Sequence, residues 1–541
     1  MIRVISFLCL GACGAAAVVT SSVPARPPAQ ATGYAALVAL FADWRAFQKP
    51  PLVGGVPDYS PSAMAAQHAA LEGYRRRLEA IDTAGWPVSQ QADWHIVRAE
   101  MNGLDFDHRV LRPWGRDPAF YVTVFASQSD QPAREGPSAY GGIELWKHRF
   151  PPSPEAAKEI ATGLRVIPPL LEQAQANLTG DARDLWVFGA REIRQQSADL
   201  ERLAGRIGEA DQGLQADVRR AREATDAFAA WLDAQAPSKR GPSGVGIENY
   251  DWYLKHVHLV PYTWREQAVL IERELGRART FLALEEERNR ALPPQAPVAS
   301  EEEHARRFGA AVTEYMSFLE SRNLLTVRPG MEGVLRERIG RFNPGPREFF
   351  TEVDYRDPVV MRTHGFHWFD LARMARDPHP SAIRRGPLLY NIFDTRTEGL
   401  ATGWEEMMLQ AGMFDARPRS RELIYILVAQ RAARALGDLR MHANQFTLEQ
   451  AAAFASANTP RGWLRLDTDF VRGEQHLYLR QPSYGTSYLI GKMQIEELLA
   501  ARRRQLGDGF TFRGFMDELE ACGLIPMSLI SWELAGREPG F

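Results

Sequence analysis

The 541-residue chain is 45% hydrophobic and 24% charged, with a formal net charge of -3. This ordinary globular balance argues against a disordered chain and predicts a well-buried core. The near-neutral charge, without a basic run, argues against a nucleic-acid or anionic-membrane footprint.

The chain begins MIRVISFLCLGACGAAAVV, one Arg followed by an apolar, small-residue stretch, and continues TSSVPARPPAQA. Ala29-Gln30-Ala31 fits the small-x-small cleavage pattern, as does Val23-Pro24-Ala25. The pattern predicts a secretory signal peptide over residues 1–31. The apolar stretch is short of the about 20 residues that a membrane-spanning helix needs, and no later apolar run reaches that length. A rival reading lies inside the leader. Leu10-Gly11-Ala12-Cys13 resembles a bacterial lipobox, which would place a lipid anchor on Cys13. Both readings predict an exported body: periplasmic or secreted in the first, tethered to a membrane in the second. With Cys9 and Cys13 in the leader, Cys522 stands alone, so no internal disulfide is expected. Its apolar context, EACGLIPM, predicts a small buried thiol.

The body predicts a mainly α, large multi-helix fold with a deep central cleft and few short strands. Apolar residues recur at helical spacing over 70–82, 155–178, 216–236 and 421–445. AFYVTVFAS (119–127) is the best strand candidate and LRLDTDF (464–470) a weaker one. Pro, Gly and Ser cluster in APSKRGPSGVGIE (236–248), which predicts a boundary near residue 240. An N-terminal helical part, 32–240, would supply walls. A C-terminal part, 241–541, would carry the site, and both would belong to one continuous fold. Thr263 with Glu266, and Thr447 with Gln450, read as capping boxes at helix starts.

No Walker A loop, GxGxxG, GxSxG, paired CxxC or HExxH is present, so a site must be assembled from distant segments. MRTHGFHWFD (361–370) sets His364 and His367 three apart, with Asp370 three further on. On one helix these would share a face. In DTRTEGLATGWEEMMLQA (394–411), Glu398 and Glu405 are seven apart among small residues, either close helix packing with a solvated acidic face or a cleft wall. Arg434, Asp438 and His442 follow as a stripe, where the Asp could orient the His ring. Tyr484 and Tyr488 stand at a Gly-rich helix start, suited to substrate contacts or to stabilising an oxyanion. Arg384 and Arg385 could grip a peptide carboxylate.

The order EGLATGWEE, RAARALGDLRMHANQFTLEQA, EQHLYLRQPSYGTSYLIGK and FRGFMDELEACGLIPMSLI resembles the bacterial "domain of unknown function 885" family. Its members look like zinc-metallopeptidase relatives, with a His-Glu-x-x-Pro-Gly-His-His motif, a Glu-Gly-Trp-Ala-type helix, Asp-x-Gly-x-His and a final Pro…Tyr-x-x-Gly segment. The resemblance implies that Glu398 is an acidic metal ligand and that Glu405 is the acid one heptad later. It implies that Asp438 and His442 are supporting residues, and that His367 is the first His of the closing pair. The sequence departs from the family where His-Glu is expected: it reads Met361-Arg362 there, and Trp368 replaces the last His. Two expectations follow. In one, His364, His367 and Glu398 rebuild a zinc site, with Asp370 or Glu405 as base, Tyr488 assisting, and Arg384, Arg385 and Tyr484 binding a small peptide or amide substrate. In the other, the metal is lost and the scaffold binds peptide or another ligand without catalysis.

Overall fold

The helical spacing of apolar residues is realised along nearly the whole chain. The computed structural model describes residues 33–208 and 211–540. The predicted leader, its cleavage sites and Cys13 lie outside the described residues. Among those described, strand is confined to two minimal pairs. Leu52–Val53 pairs antiparallel with Val56–Pro57, and Val124–Phe125 pairs parallel with Ile143–Glu144. The fold is mainly α, as expected. The strand expected over 119–127 survives only as Val124–Phe125, because Pro118–Tyr121 winds into a 3-10 turn started by the Asp117 side chain. The weaker candidate, 464–470, contains no strand: Leu464 is buried, but polar turns follow it up to the helix Phe470–Arg480.

Both capping boxes form, at the helices Trp264–Arg288 and Leu448–Asn458. Each satisfies backbone N–H groups that helix geometry leaves open. The expected helix over 155–178 is Pro154–Asn177, which runs through Pro168 and Pro169. Interior prolines cost about 3 kcal/mol or more; here buried Ile167, Leu170 and Leu171 flank them.

The helix Pro418–His442 is buried on almost every side, including Arg431, Arg434 and Asp438. It packs against Trp264–Arg288, Leu448–Asn458 and Tyr484–Leu506. One large core joins residues of 37–106 to residues of 245–532, and a second gathers mainly residues of 120–232. Asp394–Gln410 crosses Tyr484–Leu506 at Gly399 and Gly491. A Cβ on Gly491 would lie 2.1 Å from the Thr395 carbonyl oxygen, and one on Gly399 would lie 2.4 Å from the Gly491 carbonyl carbon. Only glycine lets these two backbones approach so closely. Of the two alternatives for the acids of Asp394–Gln410, the solvated face does not form: Glu398 and Glu405 are buried.

His364 and His367 do not share one continuous helix. Pro358–His364 ends at Gly365, and Phe366–Arg376 begins there. His364 therefore closes one helix and His367 lies in the first turn of the next.

Candidate metal centre

The break at Gly365 turns the two imidazoles toward each other, with ring centroids 5.1 Å apart and planes at 79°. The loop after Val124–Phe125 brings Asp130 to them. The ligand atoms of Asp130, His364 and His367 all lie within 4.8 Å of one another. Two of the three border an open recess of about 350 Å³, whose wall includes Arg338, Arg341, Arg362 and Trp368. Asp130 and His364 line the recess, while His367 is buried behind them.

Each histidine is held by a carboxylate. His367 Nε2 stands 3.4 Å from Glu398 Oε2. His364 Nδ1 stands 3.0 Å from Glu405 Oε1 and 3.1 Å from Arg431 Nη2. Arg431 grips Glu405 with two hydrogen bonds of 2.8 Å. With Nδ1 engaged, Nε2 is the nitrogen of His364 left for a ligand. For His364, a carboxylate on the nitrogen away from the ligand side fixes the ring and raises its basicity, the arrangement common behind metal ligands.

The charges follow from these contacts. Burial works against a charge on His367, but Asp130 and Glu398 overcome it and push its pKa up to about 9. Burial likewise opposes a charge on Glu398, yet the neighbouring His367 holds its pKa down at about 2. Burial opposes a charge on Glu405 too, and Arg431 with His364 keeps its carboxyl below the usual range. Three buried charged groups therefore hold their charge, but only in pairs.

Glu398 Oε1 is shared. It accepts from Gln131 Nε2 at 2.9 Å and from the Tyr484 hydroxyl at 2.5 Å. Thr397 Oγ1 in turn donates to Gln131 Oε1 at 2.7 Å. The Tyr484 hydroxyl also meets Glu135. One phenol has one proton, so it cannot donate to two carboxylates at once. Burial, then the nearby Asp130, pushes Glu135 up to about 7. Glu135 is thus the carboxyl that keeps a proton near neutrality, and Glu398 the one that stays ionised.

Of the residues expected to hold a metal, the structure brings His364 and His367 together and sets Glu398 against His367. The compact three-ligand group, however, takes Asp130 where Glu398 was expected. Tyr484 and Tyr488 both stand beside it, with ring centroids 5.7 Å apart. Asp370 is directed elsewhere, buried and paired to Arg396 at 3.1 and 3.3 Å. Glu405 is likewise neutralised by Arg431.

Arg384 is away from the group and buried. It bonds Asp93 at 2.5 Å, Glu533 at 2.6 Å and the carbonyls of Ser89 and Cys522. Four of its five N–H groups are committed within the protein, and the side chain is buried. Arg385 is exposed and meets only the carbonyls of His379 and Pro380.

His442 donates from Nε2 to the Tyr478 carbonyl at 3.0 Å, and burial pushes its pKa down to about 4. Asp438 lies 3.5 Å from His442 and faces the backbone N–H groups of Ser483, Gly485 and Thr486. This pair positions the start of Tyr484–Leu506, the helix that carries Tyr484 and Tyr488.

Asp130, Gln131 and Glu135 escaped the sequence reading. They lie in SQSDQPAREGP, a loop with no periodicity, more than 200 residues from the histidines. The only available signal was two acids in a Gly/Pro/Ser loop after a strand candidate.

No curated protein matches the sequence. Two solved structures share the fold. A candidate lipoprotein of unknown function from Shewanella oneidensis superposes with a TM-score of 0.67 at 15% identity, covering 92% of this chain and 99% of its own. A candidate lipoprotein from Colwellia psychrerythraea gives 0.62 at 14% identity, covering 93% and 98%. The family profile described as "bacterial protein of unknown function (DUF885)" matches residues 49–324 and 367–534, so its second segment opens on His367 and leaves His364 outside. This chain belongs to that family.

Proposed function

We propose that the protein is an exported, metal-dependent hydrolase of peptide or other amide bonds. The observation that carries this reading is the gathering of Asp130, His364 and His367 within 4.8 Å, with Asp130 and His364 bordering an open recess. Two buried atoms support it: His367 Nε2 and Glu398 Oε2 face each other as an ion pair without a hydrogen bond. Their 3.4 Å separation is close to the edge of a tetrahedral zinc site, about 3.3 Å for bonds of about 2.0–2.1 Å. The donor set, two imidazoles with carboxylates, suits zinc. His364, His367 and Asp130 would hold the ion, with Glu398 across His367.

A bound zinc ion would supply Lewis-acid polarisation and a water acidic enough to attack at neutral pH. The remaining chemistry belongs to the chain. Glu405 keeps His364 oriented through Nδ1. Glu135 and Glu398, joined through the Tyr484 hydroxyl, form a chain that can hold and pass a proton. Its member titrating near 7 is well matched to acid–base work at neutral pH. Tyr488 stands beside this chain as a further hydroxyl. Arg338 and Arg341 line the recess and suit an anionic group on the substrate, such as a peptide C-terminus, while Arg362 is paired to Asp354.

Export is supported by the leader and by the candidate lipoproteins that share the fold. No helix among the described residues is long and apolar enough to cross a membrane. A lipid tether at Cys13 fits the same neighbours.

The test is metal analysis of protein purified without chelator and resupplied with zinc, followed by a peptide-library cleavage screen. Wild type should hold one equivalent of metal, and His367→Ala and Glu398→Ala should lose most of it. Wild type without stoichiometric metal would sink the metal reading and leave the second one, a peptide- or ligand-binding protein without catalysis. Bound metal without any cleavage would leave a metal-binding protein.

A further inference from the structure

A second cavity, of about 250 Å³, lies apart from the candidate metal centre: none of Asp130, His364, His367 or Glu398 lines it. Aromatic rings form part of its wall, Tyr59, Trp114, Phe120, Tyr140, Tyr253 and Tyr390, beside polar residues such as Gln67, Asn391 and Gln481. Tyr59 and Trp114 lie nearly parallel, at 16° and 6.5 Å, and Phe120 meets Tyr59 edge-on at 4.9 Å. Tyr390 holds a left-handed backbone, φ 57° and ψ 18°. Its ring occupies the space that a side chain on Gly103 would fill, since a Cβ there would lie 2.3 Å from it.

One acid lines this aromatic chamber. Asp107 opens the π-helical turn Asp107–Leu111, a backbone irregularity that recurs at functional sites. Its carboxyl has no hydrogen bond or ion pair to any described residue. The two arginines on the same cavity do not neutralise it. Arg480 is committed to Asp117 and the Pro137 carbonyl, and Arg134 lies over the Phe125 ring. Burial alone pushes the Asp107 carboxyl up to about 8, with no neighbour opposing it. Asp107 is half-buried and without a partner in the chain, so its carboxyl is open to a partner from outside it.

We propose that this cavity is a binding site for a small ligand that carries a protonated amine on a flat apolar body. Asp107 takes the ammonium in a charge-assisted hydrogen bond. The aromatic walls take the body and add cation–π attraction. The volume lies a little below the roughly 300–1,000 Å³ of drug-sized sites, which fits a ligand of one ring and a short arm. The proposal does not depend on the metal reading, since no residue is shared.

The experiment is calorimetry on the full chain, with and without prior chelation. The probes are phenethylamine, the neutral phenethyl alcohol and the anionic 3-phenylpropanoate. Phenethylamine should bind one-to-one, at least tenfold tighter than the alcohol, with the acid weakest and chelation without effect. Asp107→Asn should weaken the amine at least tenfold and leave the alcohol unchanged. The variant is isosteric and breaks no hydrogen bond or ion pair with a described residue, so it should fold. Should it not, the amine-to-alcohol ratio of the wild type decides alone. No amine binding, equal binding of amine and alcohol, or full retention in Asp107→Asn each overturns the proposal.

Discussion

His367 Nε2 and Glu398 Oε2 stand 3.4 Å apart, both buried and both without a hydrogen-bond partner. They hold their charges against each other, but a buried ion pair that makes no hydrogen bond offsets its desolvation poorly. A cation shared by the two would relieve both. Zinc should therefore raise the unfolding free energy of the wild type, by about 2.7 kcal/mol at a hundred times its Kd. The gain should vanish in His367→Ala and shrink in Asp130→Asn and Glu398→Gln. A wild-type melting midpoint that no divalent ion moves would count against the metal centre.

Behind His364, Glu405 is asked to do two jobs. It balances Arg431, buried with it, and it orients the imidazole. Glu405→Gln should cost about 3–5 kcal/mol, because a buried guanidinium loses its partner. It should also weaken metal binding about 10–100-fold. The double variant Glu405→Gln, Arg431→Met separates the jobs. Removing both charges should restore much of the stability in urea unfolding, while zinc affinity stays low. Affinity recovering along with stability would show that Glu405 has no orienting role.

The helices were legible because period 3.6 is a local property: both capping boxes, the Pro154–Asn177 helix and the Pro418–His442 helix follow from spacing alone. The site was legible in part. His364, His367 and Glu398 could be named from types and spacing and from a resemblance, but the break at Gly365 that turns the rings together could not. Asp130 and Gln131 arrive through long-range packing of a loop, which leaves no periodic trace. Arg384 misled because sequence shows a cation and not the two buried acids, Asp93 and Glu533, that already occupy it.

That occupation is testable. Arg384→Ala leaves Asp93 and Glu533 without their cation and should cost about 3–5 kcal/mol in chemical unfolding. The exposed Arg385→Ala should stay within about 0.5 kcal/mol of wild type. An Arg384→Ala protein of unchanged stability that binds peptides less tightly would return Arg384 to the substrate.

Asp107 predicts a pH dependence. Its folded carboxyl, pushed up to about 8, keeps its proton above the ordinary value of 3.8. Between these limits the folded state binds more protons than the unfolded state, so the group's contribution to stability falls as pH rises. Asparagine has no proton to lose. The stability advantage of Asp107→Asn over wild type should therefore grow from about pH 4 to about pH 8 and level off above. Thermal melts across that range check it, and a constant difference would mean that the carboxyl is solvated or paired.

The crossing of Asp394–Gln410 over Tyr484–Leu506 sets how Glu398 meets Tyr484, and it rests on two glycines. At both positions an added methyl meets backbone, 2.1 Å from the Thr395 oxygen at Gly491 and 2.4 Å from the Gly491 carbon at Gly399. Backbone cannot swing aside as a side-chain end can, so the helices must separate. Overpacking a core costs about 1–3 kcal/mol and occasionally more, and these two sites belong at the upper end. Gly473, in the helix Phe470–Arg480, is the control. Nothing lies within 4 Å of its added methyl, so Gly473→Ala gains only helix propensity, about 1 kcal/mol. Urea unfolding should thus place Gly399→Ala and Gly491→Ala below wild type and Gly473→Ala above it. The separation has a second consequence, because the 2.5 Å hydrogen bond from Tyr484 to Glu398 spans the same crossing. If that contact tunes Glu398, zinc affinity should fall in both crossing variants and stay unchanged in Gly473→Ala. Crossing variants that lose stability but keep full affinity would separate the scaffold from the site.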